Sequence, residues 1–189
     1  SASLEPSPFE IEVFSSIRST FAHELGSVLI VDLGALKTKL TIVDRGIVRQ
    51  FHAVNRGAVD ITNSLATALD MPFAKAEQMK QELGMAATGP SDKVSEVIQL
   101  SFDYIMGETA SMVLAYEKKY NKVISKIILT GGGALLPGFV DLAKERFRSE
   151  VVLANPFAKT EIPSFLEEVL AKIGPEFSVA IGLALRKLE

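Results

Sequence analysis

Two glycine-containing segments carry the residues that could bind a phosphorylated ligand. The first, Asp32-Leu33-Gly34-Ala35-Leu36-Lys37-Thr38, continues an apolar run of strand length. A tight turn here would present backbone N–H groups to phosphate oxygens, and Gly34 has no Cβ to obstruct their approach. Lys37 or Thr38 would add a charge or a donor, and Asp32 could hold a hydrated magnesium ion. A glycine near an aspartate in a hairpin is more often simply a turn, so both interpretations stand.

The second segment, Gly131-Gly132-Gly133-Ala134, lies between a predicted buried strand over residues 126–130 and a predicted helix. Open α/β sheets bind ligands at this position. Three consecutive glycines cost backbone entropy, which close approach of a flat purine and its ribose would offset. A tightly packed strand-to-helix turn explains them equally well. The segment is neither a dinucleotide-binding GxGxxG nor a GxxxxGK[ST] loop.

The elements that must position these segments are strands and helices of one predicted α/β domain spanning residues 1–189. Apolar runs predict strands over residues 28–34, 39–43 and 47–51, and Gly46 favours a hairpin between the last two, which gives an antiparallel meander. A short strand is predicted at 151–153. Helical periodicity predicts the helices, at about residues 8–24, 61–69, 74–83, up to 119, 137–148, 166–173 and 176–187. Ser91 or Asp92 would cap the long fourth helix, and residues 70–93 are expected to form an inserted helical sublobe.

Composition excludes several classes of protein. Among the 189 residues, 48% are hydrophobic and 23% charged, which is typical of a globular chain and not of a disordered one. The net charge of −3 argues against a nucleic-acid partner, because such proteins carry a basic excess. The absence of cysteine excludes disulfides and thiolate metal sites. No apolar run approaches the roughly 20 residues that cross a bilayer, so we expect a soluble or peripherally attached protein.

Together the two segments resemble the second half of the actin-like ATPase superfamily, and within it the type IV pilus assembly protein PilM family. The resemblance spans nearly the whole chain. Its residues are Val31-Asp32-Leu33-Gly34-Ala35, the Gly46 hairpin, Gly131 to Gly138, Ala154-Asn155-Pro156-Phe157, and Ala180-Ile181-Gly182-Leu183-Ala184-Leu185-Arg186. It implies a ribonuclease H-like, actin-like α/β lobe with a mixed sheet flanked by helices.

The resemblance also implies a site for ATP or ADP with Mg²⁺. Asp32, Gly34, Ala35, Lys37 and Thr38 would form the second phosphate-binding element, with Asp32 reaching the metal through water. Gly131, Gly132, Gly133 and Ala134 would bind adenosine. Glu77 and Lys80, one turn apart on a charged helix, would contact ribose or base, although a solvated ion pair explains their spacing as well.

The family carries two lobes, each with a phosphate loop, whereas this sequence has one such loop. The resemblance therefore implies a second lobe without the first. It implies a cytoplasmic scaffold, peripheral to the inner membrane, that docks the cytoplasmic tail of the membrane protein PilN mainly through the other lobe. For the full-length protein, the resemblance implies weak ATPase activity. We expect this lobe alone to bind nucleotide weakly or not at all, and to show no measurable hydrolysis.

Two alternatives from other classes remain open: a filament-forming division protein resembling FtsA, and a phosphotransferase fragment of the sugar or acetate kinase type. A further expectation concerns the terminal helices. The apolar stripes of the first helix, with Phe9, Phe14 and Phe21, and of the last, with Ile181, should stay partly uncovered, so we expect self-association, most simply as a twofold dimer.

Overall fold

A five-stranded mixed sheet forms the centre of the molecule. The computed structural model describes residues 9–21, 24–85 and 93–186. The strands are β1 (Ser27–Leu33), β2 (Thr38–Asp44), β3 (Ile47–Val54), β4 (Ile124–Thr130) and β5 (Glu150–Leu153), in the order β3-β2-β1-β4-β5. The first three form the predicted antiparallel meander, while β4 runs parallel to both β1 and β5. The α/β class and the mixed sheet are thus confirmed.

Helices cover both faces of this sheet. They are α1 (Glu12–Thr20), α2 (Ala58–Ala68), α3 (Phe73–Leu83), α4 (Lys93–Tyr120), α5 (Phe139–Arg146), α6 (Glu167–Ile173) and α7 (Ser178–Leu185). Side chains alternate along β1: Leu29, Val31 and Leu33 belong to the main core, whereas Val28 and Ile30 pack on the opposite face with residues of α1. Position 32 therefore belongs to the face that α1 covers.

Four short 3₁₀ helices were not predicted: Gly132–Leu135, Pro156–Lys159, Ser164–Leu166 and Gly174–Phe177. The helix expected to open at Pro137 begins two residues later, because Gly138 at φ +81° breaks the chain direction before Phe139. The expected caps Ser91 and Asp92, and residues 8, 23 and 187 at the ends of the predicted first and last helices, lie outside the described residues. Within them, the first helix was predicted too long: α1 begins at Glu12 and ends at Thr20, where Phe21 is already extended, and Glu24 is not helical.

The first and last helices pack against each other through small residues, a contact that the sequence did not predict. Ser15, Ser16 and Ser19 are the buried residues of α1, and Ser178 and Gly182 those of α7. The hydrophobic side chains of the first segment lie mostly outside: Phe9 is 94% exposed and Phe14 48%. Small residues form the interface because they allow the two helix backbones to approach closely.

Helix α3 packs into the same core as the sheet. Ala76 is fully buried, and Met79 and Leu83 contact the main core cluster. The helix ends at Gly84, as predicted, with φ +51°. Residues 86–92 of the expected inserted sublobe lie outside the description, so the sublobe stays a prediction. Within the described ranges, none of the helices combines the length and apolarity needed to span a bilayer.

Candidate functional site

A cleft of about 560 Å³ opens at the end of the sheet where β1 and β4 finish. The β1–β2 turn and the start of α2 form one side, α3 forms a second, and the segments after β4 and before α7 form the rest. Its lining residues are Ala35, Ala58, Glu77, Lys80, Gln81, Gly132, Gly133, Leu135, Leu136, Pro137 and Glu176. Five residues of the two predicted sites, namely Ala35, Glu77, Lys80, Gly132 and Gly133, are thus brought together.

The three glycines after β4 have different surroundings. Gly131 has φ +83°, and an added Cβ would lie 2.6 Å from the Asp32 Oδ1. A Cβ on Gly133 would lie 2.3 Å from the Leu33 Cγ. Gly132 is exposed to the cleft, where an added Cβ would meet only the Glu176 side chain, at 3.4 Å. Packing therefore accounts for the outer two glycines, and only Gly132 offers bare backbone to a ligand.

The β1–β2 turn is held by its neighbour α2. The Gly34 N–H donates to the Lys37 carbonyl oxygen at 3.1 Å, and the amides of Ala58 and Val59 donate to the carbonyls of Gly34 and Ala35. Among the described residues, no acceptor is paired with the amide N–H groups of Ala35, Leu36 and Lys37. Three consecutive unpaired amides at an exposed turn are what an anion-binding turn requires.

Two predicted phosphate ligands are engaged within the protein. The buried Thr38 donates its hydroxyl to the Arg56 carbonyl oxygen at 2.8 Å, so it is fixed as a turn residue. Asp32 lies beside Gly131, outside the cleft lining, with its Oδ2 3.4 Å from the Lys39 Nζ. Lys37 is exposed at the turn. Ala134 is buried and does not line the cleft.

The environment of Asp32 leaves its carboxylate incompletely paired. Burial raises the pKa of Asp32, and Lys39 opposes the rise only in part. Burial lowers the pKa of Lys39, but contacts with Glu12 of α1 and with Asp32 outweigh it and raise that pKa. Glu12, at 2.9 Å, is the nearer partner of Lys39. Asp32 can therefore accept a further hydrogen bond, for example from a metal-bound water.

Glu77 and Lys80 form a closed network in the wall of the cleft and are not a solvated pair. Lys80 is 3% exposed, and its ammonium donates to Glu77 Oε2 (2.8 Å), Thr62 Oγ1 (2.8 Å) and the Ala58 carbonyl (3.1 Å). These three contacts use all its protons. Lys80 can therefore offer a ligand its methylene stem and not its charge.

Glu77 is similarly occupied. Its Oε2 accepts from Thr62 and Lys80, and its Oε1 accepts from the Gln81 side chain at 2.8 Å. Burial raises the pKa of Glu77, but these hydrogen bonds outweigh it and hold the pKa below its ordinary value. The carboxylate is ionised, and its free acceptor capacity is small.

Glu176 is the cleft residue that sequence reasoning missed. It belongs to the 3₁₀ helix Gly174–Phe177, which the Gly131 N–H and the Thr130 hydroxyl anchor by donating to the Pro175 carbonyl, both at 3.0 Å. Within the described part of the chain, the Glu176 carboxylate has no hydrogen bond or ion pair. The Gly174-Pro175 pair just before the last helix was the available signal of a tight turn at this point.

The described residues contain no group of three carboxylates or imidazoles able to hold a metal ion. A magnesium ion would therefore need ligands from a bound phosphate chain and water, with Asp32, near the end of β1, as the predicted protein carboxylate. This donor set suits Mg²⁺, which retains several waters and takes few protein ligands.

Solved structures of the same fold define the class. A PilM–PilN type IV pilus biogenesis complex matches with a TM-score of 0.85 at 22% identity, covering 100% of this chain and 55% of that one. MreB 5 of Spiroplasma citri bound to AMPPNP matches with a TM-score of 0.71 at 14% identity, covering 95% and 59%. The chain has an actin-like ATPase fold.

The family is defined by sequence. The profile of the type IV pilus assembly protein PilM matches residues 9–188, and the chain belongs to this family. Curated relatives include the cell division protein FtsA of Helicobacter pylori, 29% identical over 190 residues, and that of Borreliella burgdorferi, 28% identical over 204 residues. The match covers 87% and 94% of this chain but 38% and 48% of those relatives, so the chain spans less than half of their length.

Proposed function

We propose that this chain is the second nucleotide-binding lobe of a PilM-type protein and that its cleft binds ATP or ADP with Mg²⁺. The observation that carries the proposal is the cleft itself. An exposed glycine, Ala35 of the turn that carries the unpaired amides, and a polar network line one space at the end of an actin-like sheet. The structural neighbour MreB 5 is bound to the nucleotide AMPPNP, which supports the same assignment.

The geometry supports an orientation of the nucleotide. The phosphates would meet the amides of residues 35–37 and the Lys37 side chain, while the nucleoside would lie on Gly132 beside the Lys80 stem. Magnesium would supply charge neutralisation between the phosphates, with Asp32 accepting from its water. In this proposal the residues of this lobe bind and orient the nucleotide.

The affinity of the lobe alone should be weaker than micromolar. In a two-lobed protein each lobe supplies a phosphate turn, and each missing charge-assisted hydrogen bond costs about 1.5–3 kcal/mol. We expect ATP with Mg²⁺ at millimolar concentration to raise the melting temperature of the chain, and Gly132→Val to remove that rise. No rise with either nucleotide would contradict the assignment, and sub-micromolar affinity would contradict its restriction to one lobe. Phosphate release should not exceed the uncatalysed rate.

The cellular role proposed for the protein is that of a scaffold at the cytoplasmic side of the inner membrane, linking nucleotide binding to the pilus platform. The PilM–PilN complex among the structural neighbours supports PilN as the partner. We expect a PilN tail peptide to bind the two-lobed protein and to bind this lobe at least tenfold more weakly. Equal affinity for both would place the docking surface in this lobe.

A second candidate function is filament formation of the FtsA type, which the similarity to two FtsA proteins favours. A pelleting assay of the two-lobed protein with nucleotide separates the candidates. The scaffold role predicts protein in the supernatant, and the filament role predicts nucleotide-dependent sedimentation.

A further inference from the structure

The end of the sheet opposite the cleft carries exposed basic and apolar side chains that the proposed nucleotide site does not use. Three connections meet at this end: the segment before β1, the β2–β3 hairpin and the end of α4 with its connection to β4. Ser27 at the start of β1 pairs with Asp44 of β2 and with Ile124 of β4. The last turn of α4 joins them, since the Tyr116 hydroxyl lies 2.9 Å from the Ser27 hydroxyl. We call six exposed side chains of these connections the basal surface: Leu25, Arg45, Ile47, Lys118, Lys119 and Val123.

The charge of this end differs from that of the whole chain. The three connections, residues 24–27, 44–49 and 117–126, include six basic and three acidic residues, whereas the chain carries a net charge of −3. The acidic residues are engaged within the protein, Glu24 by Lys126, Asp44 by Lys122 and Glu117 by the Ile124 amide. Within the described ranges, three exposed cations form no ion pair: Arg45, Lys118 and Lys119. The basal surface is therefore positive.

Apolar side chains project from the same connections. Leu25, Val123 and Ile47 are 91%, 75% and 55% exposed. Leu25 and Val123 border a groove of about 200 Å³, which is smaller than the clefts of about 300–1,000 Å³ that hold small-molecule ligands. This end of the molecule is therefore a surface with projecting apolar side chains and not a ligand pocket.

Arg45 occupies a backbone position that favours other residues. It has φ +52° and precedes Gly46 at φ +75°. Hairpin turns with positive φ at both positions favour Asn-Gly, and arginine is uncommon in the left-handed region. The turn does not account for an arginine here, whereas a role for its charge does.

We propose that the basal surface binds directly to a membrane that contains anionic phospholipids. Its cations contact the lipid phosphates, and its apolar side chains enter the boundary between headgroups and acyl chains. An acidic protein segment would use the cations alone, so the projecting apolar side chains favour the membrane. The cleft, at the other end of the sheet, stays open to the solution. The proposal depends neither on the nucleotide site nor on PilN.

The test is co-sedimentation of the 189-residue chain with vesicles of phosphatidylglycerol and phosphatidylcholine in about equal parts. We expect binding at about 0.1 M salt, its loss at about 1 M salt, where charges are screened within a few ångströms, and no binding to phosphatidylcholine alone. Arg45→Asn places a favoured residue in the turn, so it should fold normally and weaken the vesicle partition about fivefold. Absence of binding to anionic vesicles at the lower salt, or equal binding to neutral ones, would overturn the proposal.

Matched variants locate the contact. Lys75→Gln removes an exposed cation of α3, and Leu100→Ser removes an exposed leucine side chain of α4. Both lie outside the basal surface and should leave the partition within about twofold of that of the unsubstituted chain. Val123→Ser should weaken the partition at least about threefold, because its apolar side chain no longer enters the membrane. Equal weakening by Lys75→Gln and Arg45→Asn would overturn the assignment to this surface.

A polyglutamate column separates a lipid surface from an acidic protein. We expect Val123→Ser to weaken vesicle binding and to leave any retention on polyglutamate unchanged. Vesicle binding that is unaffected by Val123→Ser, together with polyglutamate retention that Arg45→Asn reduces, would assign the surface to an acidic protein segment and overturn the membrane contact.

Discussion

The ligand cleft and the contact between α1 and α7 are each built around one glycine, and the two glycines serve opposite purposes. An added Cβ on Gly132 would stand in the cleft, 3.4 Å from the flexible end of Glu176. An added Cβ on Gly182 would stand 1.8 Å from the Ser15 carbonyl oxygen, inside the backbone of the neighbouring helix. In our proposal Gly132 leaves space for a ligand in the cleft. Gly182 instead allows α1 and α7 to pack closely, with no space between them.

The polar groups around the two glycines differ in the same sense. Beside Gly182, Glu10 accepts from Ser15 and from both terminal nitrogens of Arg18, and Arg18 also donates to the Gly182 carbonyl at 3.0 Å. Beside Gly132, Glu176 has no partner among the described residues. The hydrogen bonds beside Gly182 hold two helices together, whereas the acceptor beside Gly132 stays open to solvent, as the proposed nucleotide site requires.

The largest expected effect is that of Gly182→Ala. The methyl group would force α1 away from α7, since its nearest atom is backbone and cannot rotate aside. Overpacking of this kind costs at least about 1–3 kcal/mol, which lowers the melting temperature by roughly 2–12 °C in a domain of this size.

Gly107→Ala is the matched control for that substitution. Gly107 is exposed within α4, and an added Cβ there meets nothing within 4 Å. Higher helix propensity should leave the melting temperature equal or slightly raised. If Gly182→Ala melted at the same temperature as the unsubstituted chain, α1 and α7 would not be in the tight contact described above.

The next largest effect is a difference in stability between substitutions at two neighbouring glycines of the cleft, Gly132 and Gly133. Gly133→Ala should destabilise the fold by about 1–3 kcal/mol, because its Cβ would overlap the buried Leu33 side chain. Gly132→Ala should leave stability within about 0.5 kcal/mol of the unsubstituted chain, as surface substitutions do. Chemical denaturation measures both. Equal losses in the two variants would mean that Gly132 is a packing residue as well.

A smaller effect concerns pH. Hydrogen bonds from Arg18, then from Ser15, lower the pKa of Glu10 from 4.5 to about 2. A depressed carboxyl pKa stabilises the folded state above the unfolded pKa, and this contribution is lost as the pH falls through the folded value. The difference in melting temperature between the unsubstituted chain and Glu10→Gln should thus be complete above pH 5 and shrink toward zero near pH 2. A difference independent of pH would contradict this pairing.

The smallest expected effect is weak self-association through the outer side of the α1 segment. Phe9, Ile11 and Phe14 are 94%, 67% and 48% exposed, so a second copy could cover them. Light scattering at micromolar concentration should show a dimer that Phe14→Glu dissociates. Because Phe14 is half-exposed and is not one of the buried residues of α1, this variant should fold normally. A monomer at all concentrations would contradict the expectation.

Sequence patterns predicted the strands and most helices because both are local. The apolar run of β1, the turn at Gly46 and the stop at Gly84 each depend on neighbouring residues. The α1–α7 contact was not predicted, since the sequence prediction concerned the apolar stripes of these helices, which were expected to stay partly uncovered. The spacing Ser15-x-x-x-Ser19 and Ser178-x-x-x-Gly182 was the overlooked signal.

The site was predictable only in part for a related reason. Gly132 and the β1–β2 turn stand in recognisable segments, whereas Glu176 lies 44 positions after Gly132 (176 − 132). Its place depends on the hydrogen bonds that Thr130 and Gly131 donate to Pro175, which no spacing encodes. The saturation of Lys80 likewise depends on Thr62, a residue of another helix.

The most direct test of the nucleotide site is a chemical-shift map of the chain titrated with ATP and Mg²⁺. The account predicts dose-dependent shifts at Ala35, Gly132 and Glu176, with Gly182 and its surroundings unmoved, and loss of these shifts in Gly132→Val. Absence of shifts at millimolar ATP, or shifts centred on the contact between α1 and α7, would contradict it.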